Sequence, residues 1–122
     1  MEQLMQECKE CKVIEELRSK LCSVCLTQRL IRGKWKILII FLLKDGALRF
    51  SHIKKSIPKV TQAYLSSQLK ELEATGIIVR HSYNQVPPKV EYYLTDEGKS
   101  FIEVIDNMHF WGVDYINKNL KK

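Results

Sequence analysis

No stretch of this 122-residue chain is apolar for long enough to cross a membrane. The longest apolar run, Ile37 to Leu43, has seven residues, where a spanning helix needs about 20. Met1 to Leu17 is polar and charged and lacks the apolar core of a secretory signal. A cytoplasmic protein with no membrane partner is expected. The chain also has no nucleophile elbow, no glycine-rich phosphate loop and no paired-carboxylate arrangement. Its three histidines, His52, His81 and His109, are scattered without metal-ligand spacing. They read as surface or packing residues. No catalytic residue is assigned, and no enzyme is expected.

What is present suits a folded, basic chain. The length fits one domain with an extra helix or arm at either end. An apolar content of 45% argues against wholesale disorder. The formal charge is +6, and its placement says more than its total. From Arg49 to Val90 there are seven Lys and Arg against two acids, a surplus of five. From Glu91 onward, four Lys face six acids, a deficit of two. A basic middle third is what contact with nucleic-acid phosphates requires, because released counterions drive such binding.

Met1 to Lys12 is charged and carries no apolar stripe, as in a loose arm. Between Val13 and Leu30 apolar residues recur at helical spacing (Ile14, Leu17, Leu21, Val24). Cys22 and Cys25 fall at the end of that stretch or at the start of a second short helix. Lys34 to Lys44 is a helix apolar on nearly every side, closed by Asp45-Gly46 and expected to be buried all round. A short helix follows, capped by Ser51, with Phe50, Ile53 and Ile57 inward and Pro58 at its end. Thr61 caps the next, which runs to about Thr75 and stops at Gly76, with Leu65, Leu69 and Leu72 on one side. Ile77–Tyr83 and Lys89–Leu94 are rich in β-branched and aromatic residues and flank the loop Asn84-Gln85-Val86-Pro87-Pro88. Finally, Thr95 caps a helix reaching Leu120, with Asp96 and Glu97 in its first turn. Its apolar residues cover more faces than one small domain can bury, so an identical chain is expected to cover the rest.

Helix, tight turn, helix and hairpin together outline a winged helix-turn-helix. The class is α+β, mainly α, with terminal dimerisation helices. The expected division is an N-terminal arm and helix over 1–21, a winged-helix domain over 22–95 and a dimerisation helix over 96–122.

Several segments carry a more specific likeness. Gly33-Lys34-Trp35, Arg49-Phe50-Ser51, Leu65 to Glu73 with Gly76, Val86-Pro87-Pro88-Lys89-Val90-Glu91-Tyr92 and Leu94-Thr95 with Glu97-Gly98 stand in fixed order, preceded by Cys22-Ser23-Val24. In this combination the chain resembles the HxlR family of bacterial winged-helix regulators from about Cys22 to Gly112. The resemblance implies a homodimer that binds a pseudo-palindromic operator in double-stranded DNA and senses a chemical signal. The family commonly has basic residues where this chain has Ala63 and Gln68, which makes the recognition helix less positive than usual. The family commonly has Pro where Ser23 stands, and one cysteine where this chain has four.

The DNA-facing set expected from this layout is Ser51, Lys54, Lys55, Lys59, Thr61, Gln62, Ala63, Ser66, Ser67 and Lys70, with Lys89 at the wing tip. Residues near the start of a recognition helix reach base edges, and a Gln pairs bidentately with adenine. Ile105, Met108, Trp111, Tyr115 and Ile116 are the expected dimer contacts.

Four cysteines without a signal segment favour thiols or a metal over structural disulfides. Cys8-x2-Cys11 and Cys22-x2-Cys25 form two CxxC pairs ten residues apart. Each could supply half of a tetrahedral zinc site, although no cofactor is required. Alternatively, Cys22, which matches the family's sensing cysteine, is a redox switch, and a helix start there would favour its thiolate. Two other functions compete with DNA binding. One is a zinc-dependent protein-interaction module on the same scaffold. The other is a thiol-disulfide enzyme, which would place its CxxC after a strand in a βαβ unit that this chain lacks.

Overall fold

The computed structural model describes residues 15–120, in two units that divide between Gly33 and Lys34. The first unit contributes helix α1 (Glu15–Leu30). The second runs α2 (Lys36–Leu42), a 3-10 turn (Leu43–Asp45), α3 (Phe50–Ser56), α4 (Gln62–Ala74), strands β1 (Ile78–Tyr83) and β2 (Lys89–Leu94), and α5 (Asp96–Asn119). The mostly helical build with a small antiparallel wing is the expected class. Among the described residues no helix is long and apolar enough to cross a membrane.

Helix α2 is shorter and more one-sided than its composition suggests. Ile39, Ile40 and Leu43 are buried, but Leu38 and Phe41 are 42% and 39% exposed. Helix α2 packs against α4 and α5, and among the described residues Leu38 and Phe41 remain partly open to solvent.

The helix pair α3–α4 closes over Ile53, Ile57, Val60, Leu65, Leu69 and Leu72, all buried. Ser51 does not cap α3. The cap position is Arg49, with extended backbone and no side-chain cap bond, and Ser51 lies within the first turn. Helix α3 stops where expected, because Ile57 takes a non-helical conformation (φ −132°, ψ 67°) ahead of Pro58. Thr61 does cap α4, its hydroxyl accepting from the Tyr64 backbone N–H at 3.1 Å.

At the far end of α4, Gly76 adopts φ +80°. Its N–H donates to the Glu73 carbonyl at 3.1 Å, and the Ile77 N–H reaches back to the Leu72 carbonyl at 3.0 Å. These two bonds satisfy carbonyls that the helix end would otherwise orphan. The chain then enters the hairpin, paired from Ile78↔Leu94 to Tyr83↔Lys89. Leu48 adds an unforeseen third edge, exchanging backbone hydrogen bonds of 3.0 and 2.8 Å with Tyr92.

A compact joint ties these parts to α5. The Thr95 N–H donates to the Ile77 carbonyl at 3.0 Å. The Thr95 hydroxyl donates to the Gly76 carbonyl at 2.6 Å and accepts from the Gly98 N–H at 3.1 Å. Gly98 is buried, and a Cβ there would collide with the Ile77 carbonyl oxygen and press on Leu94 at 3.0 Å. Glycine is therefore required by space at this position.

Gly98→Ala is expected to destabilise the fold by about 1–3 kcal/mol, the usual cost of overpacking. Chemical denaturation measures it, and an alanine variant as stable as the parent would mean that the joint opens freely.

Candidate nucleic-acid interface

The first turns of α4 present Gln62, Ala63 and Ser67 to solvent, with Ser66 half-buried beside them. The leucine side holds this face outward, because Leu65, Leu69 and Leu72 are at most 1% exposed. Lys55, Lys59 and Ser51 are exposed on α3 and the turn, and Lys70 is exposed further along α4. Other members of the expected set have their polar groups occupied. The Lys54 ammonium donates to the Pro58 carbonyl at 3.0 Å, tying α3 to the turn. Ser67 donates to the Tyr64 carbonyl at 2.7 Å. The Thr61 hydroxyl serves the helix cap.

Gln68 is not on the surface at all. It is buried, and its Nε2 donates to a Glu71 carboxylate oxygen at 2.7 Å. The ammonium of buried Lys36 lies 3.6 Å from the same oxygen. The missing positive charge at position 68 is therefore replaced by an internal polar link between α2 and α4. The Gln68 Oε1 is buried without a hydrogen-bond partner.

Lys89 opens β2 opposite Tyr83, the ladder pair next to the 84–88 loop at the tip of the wing. Its ammonium lies 3.7 Å from Glu91 and 4.8 Å from the Tyr83 ring centroid. The Tyr83 hydroxyl donates to the other Glu91 oxygen at 2.8 Å. That bond, aided by Lys89 and Arg49, holds the Glu91 carboxyl below its usual range despite an opposing desolvation. The same bond raises the Tyr83 phenol, with burial and the Glu91 charge adding to it. Lys89 thus stands at the tip end of the wing as expected, with its ammonium held by Glu91 and Tyr83.

On α5, Met108, Trp111, Tyr115 and Ile116 are exposed, and Trp111 stacks on Tyr115 with centroids 5.3 Å apart. Val104, Phe110, Val113 and Leu120 extend this apolar surface. Ile105 points the other way and is already buried within the protomer. Cys22 is buried and Cys25 half-buried, both within α1. Cys22 thus lies mid-helix and not at a helix start. Cys8 and Cys11 fall outside the described residues. Among the described residues no group of three His, Cys, Asp or Glu is placed to hold a metal.

The profile of the HxlR-like helix-turn-helix family matches residues 30–120. The chain belongs to that family. It is similar to an HTH-type transcriptional regulator of Methanothermobacter thermautotrophicus, 52% identical over 78% of this chain and 72% of the relative. The solved structure of YtcD, an HTH-type transcriptional regulator of Bacillus subtilis, matches with 47% identity and a TM-score of 0.74. That match covers 77% of this chain and 96% of YtcD. The redox regulator HypR in its reduced form matches with 42% identity and a TM-score of 0.72, over 76% of this chain and 92% of that one. The chain is thus a helix-turn-helix transcriptional regulator and not an enzyme, in a class that acts by binding DNA.

The Glu91 clasp has a defined pH window. Glu91, depressed in the folded chain, stabilises it above the ordinary glutamate range, and this is lost as pH falls through the folded value. Tyr83, raised, stabilises it below the ordinary tyrosine range, and this is lost as pH climbs through the folded value. Glu91→Gln is expected to let the Tyr83 phenol fall back toward 10.0. Ring-carbon NMR titration reads this directly, and an unmoved Tyr83 titration would dissolve the clasp.

Proposed function

We propose that this regulator is a cytoplasmic homodimer that places α4 in the major groove of a pseudo-palindromic operator and reads bases through Gln62, Ala63, Ser66 and Ser67. The observation that carries this reading is the outward, uncharged face at the start of α4, flanked by Lys55 and Lys59. Uncharged hydrogen-bonding groups discriminate base edges, while flanking lysines supply sequence-independent attraction to phosphates. Ser51, Lys54, Thr61, Lys70 and Lys89 complete the DNA-facing set. Lys54 and Lys89 serve it from anchored positions, setting the turn and the wing.

In the same reading, residues 22–95 form the DNA-binding domain, while 1–21 and 96–122 carry dimerisation. The exposed apolar residues of α5 recur at spacings of three and four (Val104, Met108, Trp111, Tyr115), the pattern by which helices pair side by side. Ile105 supports that helix from within.

Signal sensing is assigned to Cys22, with Cys25 one helical turn away and Cys8 and Cys11 nearby in sequence. The likeness to the redox regulator HypR favours oxidants or electrophiles as the signal. Zinc held by all four cysteines is the competing use, on the strength of their paired spacing.

Mobility shifts, sedimentation and thiol and metal analysis test these assignments. In mobility shifts on duplex DNA from upstream of the protein's own gene, binding should weaken by about 10³-fold from 50 to 200 mM salt, the fall for some six phosphate contacts. Gln62→Ala should cost about 1–3 kcal/mol on that duplex and nothing on a mixed-sequence one. Trp111→Glu should sediment as a folded monomer and bind far more weakly. A wild-type chain that is monomeric and ignores its upstream duplex at low salt would refute the proposal. For the cysteines, mild oxidant should release DNA from the parent and leave Cys22→Ser bound. One equivalent of zinc with every thiol masked would favour the metal instead.

A further inference from the structure

A cleft of about 400 Å³ lies between the recognition helix and the wing, lined by Ser66, Lys70 and Glu73 of α4 and by Arg80 and Tyr92 of the hairpin. Positions 66, 70 and 73 follow one another along a single side of the helix. Arg80 and Tyr92 are register partners in the ladder, so their side chains leave the same face of the hairpin. Both elements thus contribute a cation to one space.

Neither cation is held in an ion pair, and the lining holds one carboxylate, Glu73, against the two of them. Among the described residues the ion pairs join Lys36 to Glu71 and Lys89 to Glu91, and neither Lys70 nor Arg80 takes part in one. Nor does any hydrogen bond between described residues use the hydroxyl of Ser66 or Tyr92. Two like charges lining one cleft repel, and one carboxylate offsets only one of them. Two cations and one carboxylate leave a single net positive charge in the lining. That balances a phosphodiester, which carries one negative charge, better than a phosphate monoester, which carries nearly two.

We propose that this cleft seats one DNA backbone phosphate, gripped jointly by Lys70 of the recognition helix and Arg80 of the wing, with Ser66 and Tyr92 as hydroxyl donors. The assignment rests on the reading of α4 as the DNA-facing helix. Arg80 supplies a planar fork suited to phosphate oxygens, and Lys70 a mobile point charge. Because one phosphate touches both elements, it fixes the wing relative to the groove that α4 enters. Ser66 belongs to both surfaces, so the seat adjoins the base-reading face.

The test is fluorescence anisotropy on a mixed-sequence duplex over a series of salt concentrations, using the full chain. Arg80→Ala should weaken binding and lower the slope of log affinity against log salt by about 0.9 per protomer, the value of one phosphate contact. Lys70→Ala should do the same. The double variant should lower the slope little further, since both cations serve one phosphate. Arg80→Lys should keep the slope, and Glu73→Gln should tighten binding by raising the lining charge. Circular dichroism and thermal midpoints monitor folding of each variant.

An unchanged slope for Arg80→Ala, alongside a reduced one for Lys55→Ala, would overturn the seat and leave the DNA reading intact. Absence of salt-dependent binding by the parent would overturn the DNA reading and the seat with it. Inorganic phosphate, titrated while following the Arg80 side-chain NMR signal, separates the remaining source. A saturable shift with no effect of Arg80→Ala on the duplex slope would make the occupant a free anion and remove the DNA assignment.

Discussion

The approach of Gly98 to the Ile77 carbonyl is the constraint on which the rest of the second unit depends. Ile77 caps the end of α4 through its N–H and anchors the start of α5 through its carbonyl, which accepts from Thr95. The hairpin leaves from the next residue. Recognition helix, wing and α5 therefore share one point of attachment, closed by a hydroxyl and by the missing side chain at Gly98. The residues proposed to read bases sit at the opposite end of α4. A 13-residue helix is about 20 Å long, so a tilt of about 10° at the joint would move its start by about 3 Å. Hydrogen-bond recognition of bases does not survive errors of that size. The tight joint and the distant reading face are two ends of one lever.

A second restraint acts midway along that lever. Lys36, Gln68 and Glu71 link α2 to α4 through polar contacts in a place where apolar packing would serve stability as well. Apolar side chains allow helices to slide and roll by fractions of an ångström, whereas directional contacts select one register. The Glu71 side chain is 56% exposed, so the link is worth little in net free energy. Its contribution is orientation.

Much of this was legible in the sequence because it is written in local chemistry. Thr61, Thr95 and Gly76 mark helix ends through groups on their own or nearby residues, and all three do so in the structure. The β-branched and aromatic runs on either side of Pro87-Pro88 specify the hairpin. The misreadings share a different cause. Leu48 joins the sheet through a single bridge, which leaves no alternation to detect. The inward turn of Ile105 and the exposure of Leu38 and Phe41 are set by packing between elements distant in sequence or by its absence, and Gln68 turns inward where α4 meets Lys36 of α2. Arg80 and Tyr92 were open to a period-two reading of the strands, since ladder partners share a face. What could not be read was that this face looks onto α4.

On the proposed reading, the composition of the α4 face also accounts for the exposed apolar surface of α5. Gln62, Ala63, Ser66 and Ser67 offer one bidentate partner and two hydroxyls per copy of the helix, and the Ser67 hydroxyl already donates to the Tyr64 carbonyl. A good bidentate contact discriminates by about 1–3 kcal/mol, whereas specific sites typically outcompete bulk DNA by about 4–10 kcal/mol. One copy of this surface falls short. Two copies joined rigidly add their discrimination energies, because both faces must fit at once. The lysines cannot fill the deficit, since phosphate attraction strengthens right and wrong sites alike. On the proposed reading a recognition helix so sparsely equipped needs a second copy, and the exposed apolar stripe of α5 is the surface proposed to supply it.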